Sequence, residues 1–132
     1  MLIDENKIKE MVENADYFFR YTYGSFAPNN KNYKIITLVD DYIIVDNSGE
    51  VIVNKDKELS DKVWTTINVL TGVIVDSSIK SKGLSHMKDS HKDEIILKMK
   101  DNTYLVSGKV SNDELRTTYN NIVSKILEHL NI

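Results

Sequence analysis

Apolar side chains recur at helical spacing in three parts of this chain, around residues 4–19, 56–70 and 111–130. Each stripe leaves polar and charged residues for the opposite side, as in helices that pack on one face only. The last helix is the best defined, because Ser111 and Glu114 match a capping box. Its wide stripe needs a large apolar surface opposite, and we expect that surface to be a sheet.

The sequence leaves two alternatives for each end of the second helix. Asp56 and Ser60 are both suitable N-caps. The apolar stripe continues to about Leu70 and is followed by Gly72 and the β-branched run Val73–Val75. That run favours either a longer helix or a new strand.

β-branched segments predict a group of three strands, Tyr33–Leu38, Tyr42–Asp46 and Glu50–Asn54. Asp40-Asp41 predicts the first turn between them, and Asp46–Gly49 predicts the second. The apolar content of this group is nearly continuous. We therefore expect it to be partly covered on both faces, or to use one face for association.

A second hairpin is predicted near the end of the chain. Glu94–Lys100 alternates between apolar and polar residues, Asp101-Asn102 suits a two-residue turn, and Tyr104–Val106 begins the return strand. In contrast, Gly24–Asn32 contains the only proline and three asparagines, which predicts a loop.

Six of the eleven aromatic side chains lie within residues 17–26. Their alternation predicts a short first strand, although the first helix could instead run on through Tyr21. In a strand, we expect the inward rings to pack against the first and last helices. The inward set is Phe19, Tyr21 and Tyr23, and the outward set is Phe18 and Arg20.

These elements predict a single α+β domain spanning residues 1–132. We expect a mainly antiparallel sheet of five to six strands with three helices, in the order α-β-β-β-α-β-β-α. The aromatic stretch, if it is a strand, adds a fourth before the second helix.

Composition restricts the compartment and the class of function. The absence of cysteine excludes disulfides, thiolate metal ligands and cysteine catalysis, and it fits a reducing cytosol. The first residues lack a signal-peptide pattern, and no apolar run approaches the ~18 residues of a membrane helix. We therefore expect a cytoplasmic protein without a membrane segment. The net charge of −3 argues against nucleic-acid binding, since phosphate affinity depends on Lys and Arg.

Charge is unevenly spread, with a balance of −4 in residues 1–60 and +3 in residues 79–100. We expect residues 79–92 to form a basic loop or weak strand, and its lysines would suit an acidic protein partner. His86, Asp89 and His91 could alternatively ligate a metal, which gives a second hypothesis, a small metal-dependent enzyme. The basic-loop candidates are Lys80, Lys82, His86, Lys88, His91 and Lys92.

No pattern identifies a catalytic residue or a cofactor site. The acidic pairs Asp40-Asp41 and Asp93-Glu94 fall at turns or strand starts, and water-exposed carboxylates lack the divergent pKa values that acid–base catalysis needs. The serines have no nucleophile-elbow context, and the five glycines form no phosphate-binding loop. We therefore predict no catalytic residue, no cofactor and, in the favoured interpretation, no metal.

The order of elements resembles that of two families. Class I type III secretion chaperones and the related YbjN-like domains run helix, three strands, helix, two or three strands, helix. That resemblance implies an acidic cytosolic dimer that binds extended protein segments. Roadblock-type domains share much of the order, and Tyr42–Gly49 looks like their first hairpin. This second resemblance implies dimerisation through a sheet and a helix, and neither assigns a role to a residue.

We therefore predict a non-enzymatic protein-binding domain, a homodimer, that engages a protein partner through its sheet and aromatic segment. A chaperone, an immunity protein and a phage-encoded inhibitor all fit this description. The outward pair, Phe18 and Arg20, is the best placed to contact a partner, because arginine and aromatic residues are enriched at protein interfaces. The partner-binding candidates are Phe18, Arg20, Tyr21, Tyr23 and Phe26.

Overall fold

Three helices and six strands make up the structure, a computed structural model that describes residues 5–81, 91–107 and 113–131. In chain order they are α1 (Glu5–Asn14), β1 (Tyr17–Ala27), β2 (Asn30–Val39), β3 (Tyr42–Asn47), β4 (Glu50–Lys55), α2 (Lys57–Ser81), β5 (His91–Met99), β6 (Asn102–Ser107) and α3 (Asp113–Leu130). The predicted α+β class is confirmed. Four strands precede the second helix, because the aromatic stretch forms β1.

All six strands form one antiparallel sheet in the order β4-β3-β2-β1-β5-β6. The aromatic strand β1 lies near the middle, paired with β2 on one side and with β5 on the other. Because both neighbours bond to it, the alternative of a first helix running through Tyr21 is wrong. The two edges of the sheet are the short strands β4 and β6.

Helices α2 and α3 cover one side of the sheet, which we call the inner face. Phe19 and Tyr21 of β1 are buried there. The prediction that these rings pack against the first helix is wrong, because α1 lies on the other side of the sheet. The buried inner core comprises Phe19, Tyr21, Ile36, Leu38, Ile43, Val63, Ile67, Ile74, Ile95, Leu97, Val106, Tyr119, Ile122, Val123 and Ile126.

Helix α1 packs on the opposite side, which we call the outer face. Its stripe of Ile8, Met11 and Val12, continued by Ala15, lies against Val39, Ile44 and their neighbours. The C-terminal end of α1 is anchored by Lys98, whose Nζ donates to the Ala15 carbonyl at 2.7 Å. A cation at this end of a helix also complements the helix dipole. With only ten residues, α1 leaves part of the outer face uncovered.

The predicted loop Gly24–Asn32 is wrong. β1 and β2 continue through it to a tight turn at Pro28-Asn29. Gly24 makes the continuation possible: its φ is +111°, and a Cβ there would come within 2.3 Å of the Asn32 carbonyl oxygen. The segment has a loop-like composition because this end of the hairpin is largely exposed and offers few positions to apolar side chains.

Helix α2 settles both alternatives left open by the sequence. Asp56 is the N-cap, since its Oδ1 accepts a hydrogen bond from the Leu59 amide at 3.0 Å. The helix continues through Gly72 and the run Val73–Val75 to Ser81. Burial of Ile74 in the core outweighs the helix-propensity cost of glycine, which is about 1 kcal/mol. Even this 25-residue helix is not apolar enough to cross a membrane, nor is any other in the described ranges.

The three turns that the sequence predicts are all present, one of them shifted by a residue. Asp40-Asp41 joins β2 to β3 as predicted, with Asp40 at φ +53°. Ser48 and Gly49 form the second turn at positive φ, as in the turns preferred by two-residue hairpins. The last turn is Lys100-Asp101, one residue earlier than predicted. The predicted cap Ser111 lies outside the described residues.

Candidate protein-binding site

The five partner-binding candidates divide between the two faces of the sheet. Tyr21 and Tyr23 lie on the inner face with their rings stacked at 4.6 Å between centroids. Tyr21 is only 4% exposed, so it supports the core and offers no surface to a partner. Phe18, Arg20 and Phe26 alternate with these residues and lie on the outer face.

Burial controls the chemistry of the inner tyrosines. It raises the pKa of Tyr21 and of Tyr119 well above the ordinary value, with the nearby Asp93 carboxylate adding to both shifts. The two rings meet edge to face at 6.3 Å. Both phenols are therefore neutral at any physiological pH, and their role is to join β1 to α3.

Arg20 is the unusual residue of the outer face. Its guanidinium carbon lies 5.8 Å from the centroid of the Phe18 ring, and its Nε donates to Thr37 Oγ1 at 3.3 Å. The side chain is half-buried, and this desolvation lowers the pKa of Arg20. Within the described part of the chain, no carboxylate forms an ion pair with it. A half-buried cation without an ion-pair partner is unfavourable, and it is suited to an anionic ligand.

A groove of about 460 Å³ runs between α1 and the outer face, with Arg20 in its lining. One wall is α1 and the floor is formed by β1, β2 and β3, with Val51 at the edge strand. Most of the surface is apolar, while charged groups stand at several points. The lining residues are Ile8, Lys9, Val12, Glu13, Arg20, Ile35, Thr37, Ile44, Asp46 and Val51.

The other two candidates on the outer face, Phe18 and Phe26, do not line the groove. Phe18 packs into the cluster that attaches α1 to the sheet. Phe26 stacks on Tyr33 at 4.3 Å near the tip of the β1–β2 hairpin. Of the candidates from the aromatic stretch, Arg20 is therefore the one that the structure brings into a concave surface.

Two further clefts lack this combination of features. One, of about 700 Å³, lies by the C-terminal end of α1 and has a mainly polar lining that includes Asp16, Asp40 and Trp64. The other, of about 560 Å³, lies between α2 and α3 around Val73 and Lys125. Neither is lined by a half-buried charge.

Half of the basic-loop candidates lie outside the described residues. Lys82, His86 and Lys88 fall in the range 82–90, as does the metal-ligand candidate Asp89. Lys80 belongs to the last turn of α2, so the predicted loop or weak strand is wrong at residues 79–81. His91 and Lys92 open β5. In the three described ranges, no group of three His, Asp or Glu side chains converges as metal ligands do. The metal-enzyme hypothesis therefore stays a prediction.

The sequence pattern identifies Arg20 but not the rest of the groove. Ile35, Thr37, Ile44 and Val51 join Arg20 only through the register of four strands, in which Arg20 pairs with Thr37 and Thr37 with Ile44. The available signal was the nearly continuous apolar content of the strand group, which indicated partial cover on both faces. It did not say that α1 provides the cover on one of them.

No known family model matches the chain, and no curated protein is similar to it at a significant level. The likeness to secretion chaperones and Roadblock-type domains therefore stays a resemblance in element order. That order also differs from the chaperone pattern, because four strands rather than three precede α2.

Proposed function

We propose that this chain is a non-enzymatic protein-binding domain whose partner lies along the groove between α1 and the outer face. In this proposal an acidic side chain of the partner binds Arg20. The observation that carries it is the half-buried guanidinium, which has no carboxylate partner among the described residues. Arginine presents five N–H donors, and the hydrogen bond to Thr37 occupies only Nε.

The walls of the groove strengthen such a contact. Ile35, Ile44 and Val51 give the groove an apolar lining, and a hydrogen-bonded ion pair gains strength as the local dielectric constant falls. Asp46 and Glu13 lie on the same lining. Their negative charge disfavours a polyacidic ligand, so the preferred partner segment carries one acidic residue between apolar ones.

The wider features of the proposal follow from composition and sheet architecture. A secretion-type chaperone, an immunity protein and a phage-encoded inhibitor are all protein-binding proteins, and each fits this proposal. The excess of acidic residues supports a protein partner over nucleic acid. The absence of cysteine supports the proposal that the protein acts in the reducing cytoplasm. We also propose a homodimer.

Selection from a library of random twelve-residue peptides displayed on phage tests the groove. Enriched peptides should share one Asp or Glu flanked by apolar residues. Arg20→Met should weaken their binding by roughly 10- to 100-fold, because a hydrogen bond to a charged group contributes about 1.5–3 kcal/mol. The measurement is isothermal titration calorimetry with the two or three most enriched peptides.

Lys31→Gln is the matched control, since Lys31 is an exposed cation at the tip of the β1–β2 hairpin. It removes the same net charge and should leave the affinity within about twofold, because exposed charges contribute little. Enrichment of peptides that bind equally well to wild type and to Arg20→Met would refute the proposed site.

A further inference from the structure

The edge strand β4 differs from every other strand described because it exposes apolar side chains on both faces. Val51 is 42% exposed on the outer face, and Ile52 is 49% exposed on the inner face. At the opposite edge, β6 exposes Leu105 on the outer face, while Tyr104 and Val106 pack into the inner core. Only β4 therefore presents an apolar edge from both sides.

The main chain of β4 is also open along this edge. The Asp56 amide donates to the Asp41 carbonyl at 3.0 Å, which marks that pair as a hydrogen-bonded one in the β3–β4 ladder. Bonded pairs alternate along antiparallel strands, so Ile52 and Val45 form another. The N–H and C=O groups of Val51 and Val53 must then point away from β3, toward the open edge.

Natural sheets protect such an edge with a proline, a bulge or a charge in mid-strand. β4 has none of these: its pairing with β3 is unbroken from Glu50 to Lys55, and its charges lie only at the two ends. The edge is therefore a template for another strand.

We propose that a second copy of this chain pairs with it, β4 to β4, antiparallel about a two-fold axis at Ile52. In this register the outward N–H and C=O groups of Val51 form hydrogen bonds with those of Val53 in the second copy. By symmetry, those of Val53 bond to Val51 of the second copy. Ile52 lies beside its own counterpart. The result is a continuous twelve-stranded sheet, twice the six strands of one chain.

Side-chain chemistry selects this register over its neighbours. It extends the inner-face row of Ile36, Val45 and Ile52 directly into the same row of the second copy. A shift by two residues would place Ile52 beside Asn54 and Val51 beside Lys55. A two-fold contact is self-complementary, which is the usual arrangement of soluble homodimers.

This proposal rests on the homodimer proposed above but does not depend on the groove, because Ile52 lies on the face opposite Arg20. Pairing through β4 can be refuted while partner binding at Arg20 stands, and partner binding can be refuted while the pairing stands. If both hold, pairing through β4 brings the two grooves together, because Val51 lines each groove and also lies at the shared edge. A partner with two acidic segments could then bind both copies.

Sedimentation velocity from about 10 μM to about 1 mM tests the contact, since interfaces below roughly 1,200 Å² are weak. The wild type should shift from monomer to dimer across this range. Ile52→Lys places two like charges side by side at the two-fold axis and should raise the dissociation constant about tenfold or more. Val69→Lys, at a site 76% exposed on α2, is the matched control and should dimerise as the wild type does.

Disulfide cross-linking gives a second readout, and the variant it uses introduces no charge at position 52. The chain has no cysteine, so Ile52→Cys carries one thiol per copy. Opposed residues of a non-hydrogen-bonded pair lie close enough for a disulfide, and this variant should oxidise to a covalent dimer. Val69→Cys and Leu105→Cys should cross-link more slowly. A wild type that stays monomeric to about 1 mM, an Ile52→Lys variant that dimerises normally, or fastest cross-linking at either control site would each overturn the proposal.

Discussion

Replacing Arg20 by methionine should make the protein more stable. Methionine replaces the side chain out to the position of Nε with a flexible apolar one beside the Phe18 ring, while the charge is removed from a half-buried position that has no described ion pair. Burying an ion costs several kcal/mol when it is complete, so we assign about 2 kcal/mol to this half-buried group. The substitution also loses the hydrogen bond to Thr37, about 1 kcal/mol, and the cation–π contact, about 0.5 kcal/mol.

The balance is a gain of about 0.5 kcal/mol in the free energy of unfolding. Urea denaturation followed by circular dichroism measures it, with the slopes of wild type and variant compared to confirm that the unfolded states match. Arg20→Lys is the control, because it retains the charge and should show no gain. A loss of more than about 1 kcal/mol in Arg20→Met would refute the reasoning, since Arg20 would then be holding the fold together.

Three further predictions concern the framework that positions the groove. Gly24→Ala should lower the free energy of unfolding by about 2–4 kcal/mol in urea denaturation, because of the positive φ and the clash with β2. Gly72→Ala should raise it by about 0.5–1 kcal/mol, because Gly72 lies at an open helical position. Equal effects of the two substitutions would contradict the β1–β2 hairpin. Asp56→Ala should cost about 1 kcal/mol through loss of the α2 cap, and an unchanged unfolding midpoint would argue against that cap. Because burial raises the pKa of Tyr119, the folded state retains a phenol proton that the unfolded state releases above about pH 10. The contribution of Tyr119 to the free energy of unfolding is therefore complete below that pH and falls as the pH rises. Wild type should therefore lose more stability than Tyr119→Phe between pH 9 and 11, and parallel pH profiles would contradict this.

The sequence predicts most helices and hairpins because their signals are local. Apolar spacing gives all three helices, and Asp40-Asp41 and Ser48-Gly49 mark two turns whose backbone takes positive φ. Gly24 shows the limit of local signals. In the sequence it opens a polar segment, and only the approach of β2 explains why a glycine is required within a strand.

The arrangement of the elements depends on contacts distant in the sequence. α1 leads into β1 through two residues, yet it lies on the face opposite to Phe19, since α2 and α3 cover the other side. The same holds for the groove. Arg20 could be predicted from the alternation around it, but its neighbours Thr37 and Ile44 come from strands whose register the sequence does not state.

A double-mutant cycle tests the central claim most directly. Arg20→Met is combined with replacement of the acidic residue in a selected peptide by its amide, and the four affinities are measured by calorimetry. We predict a coupling energy of about 1.5 kcal/mol or more between the two changes, as for close charge pairs across an interface. A coupling energy of zero would show that the acidic residue binds elsewhere and would contradict the assignment of Arg20 as the partner-binding residue.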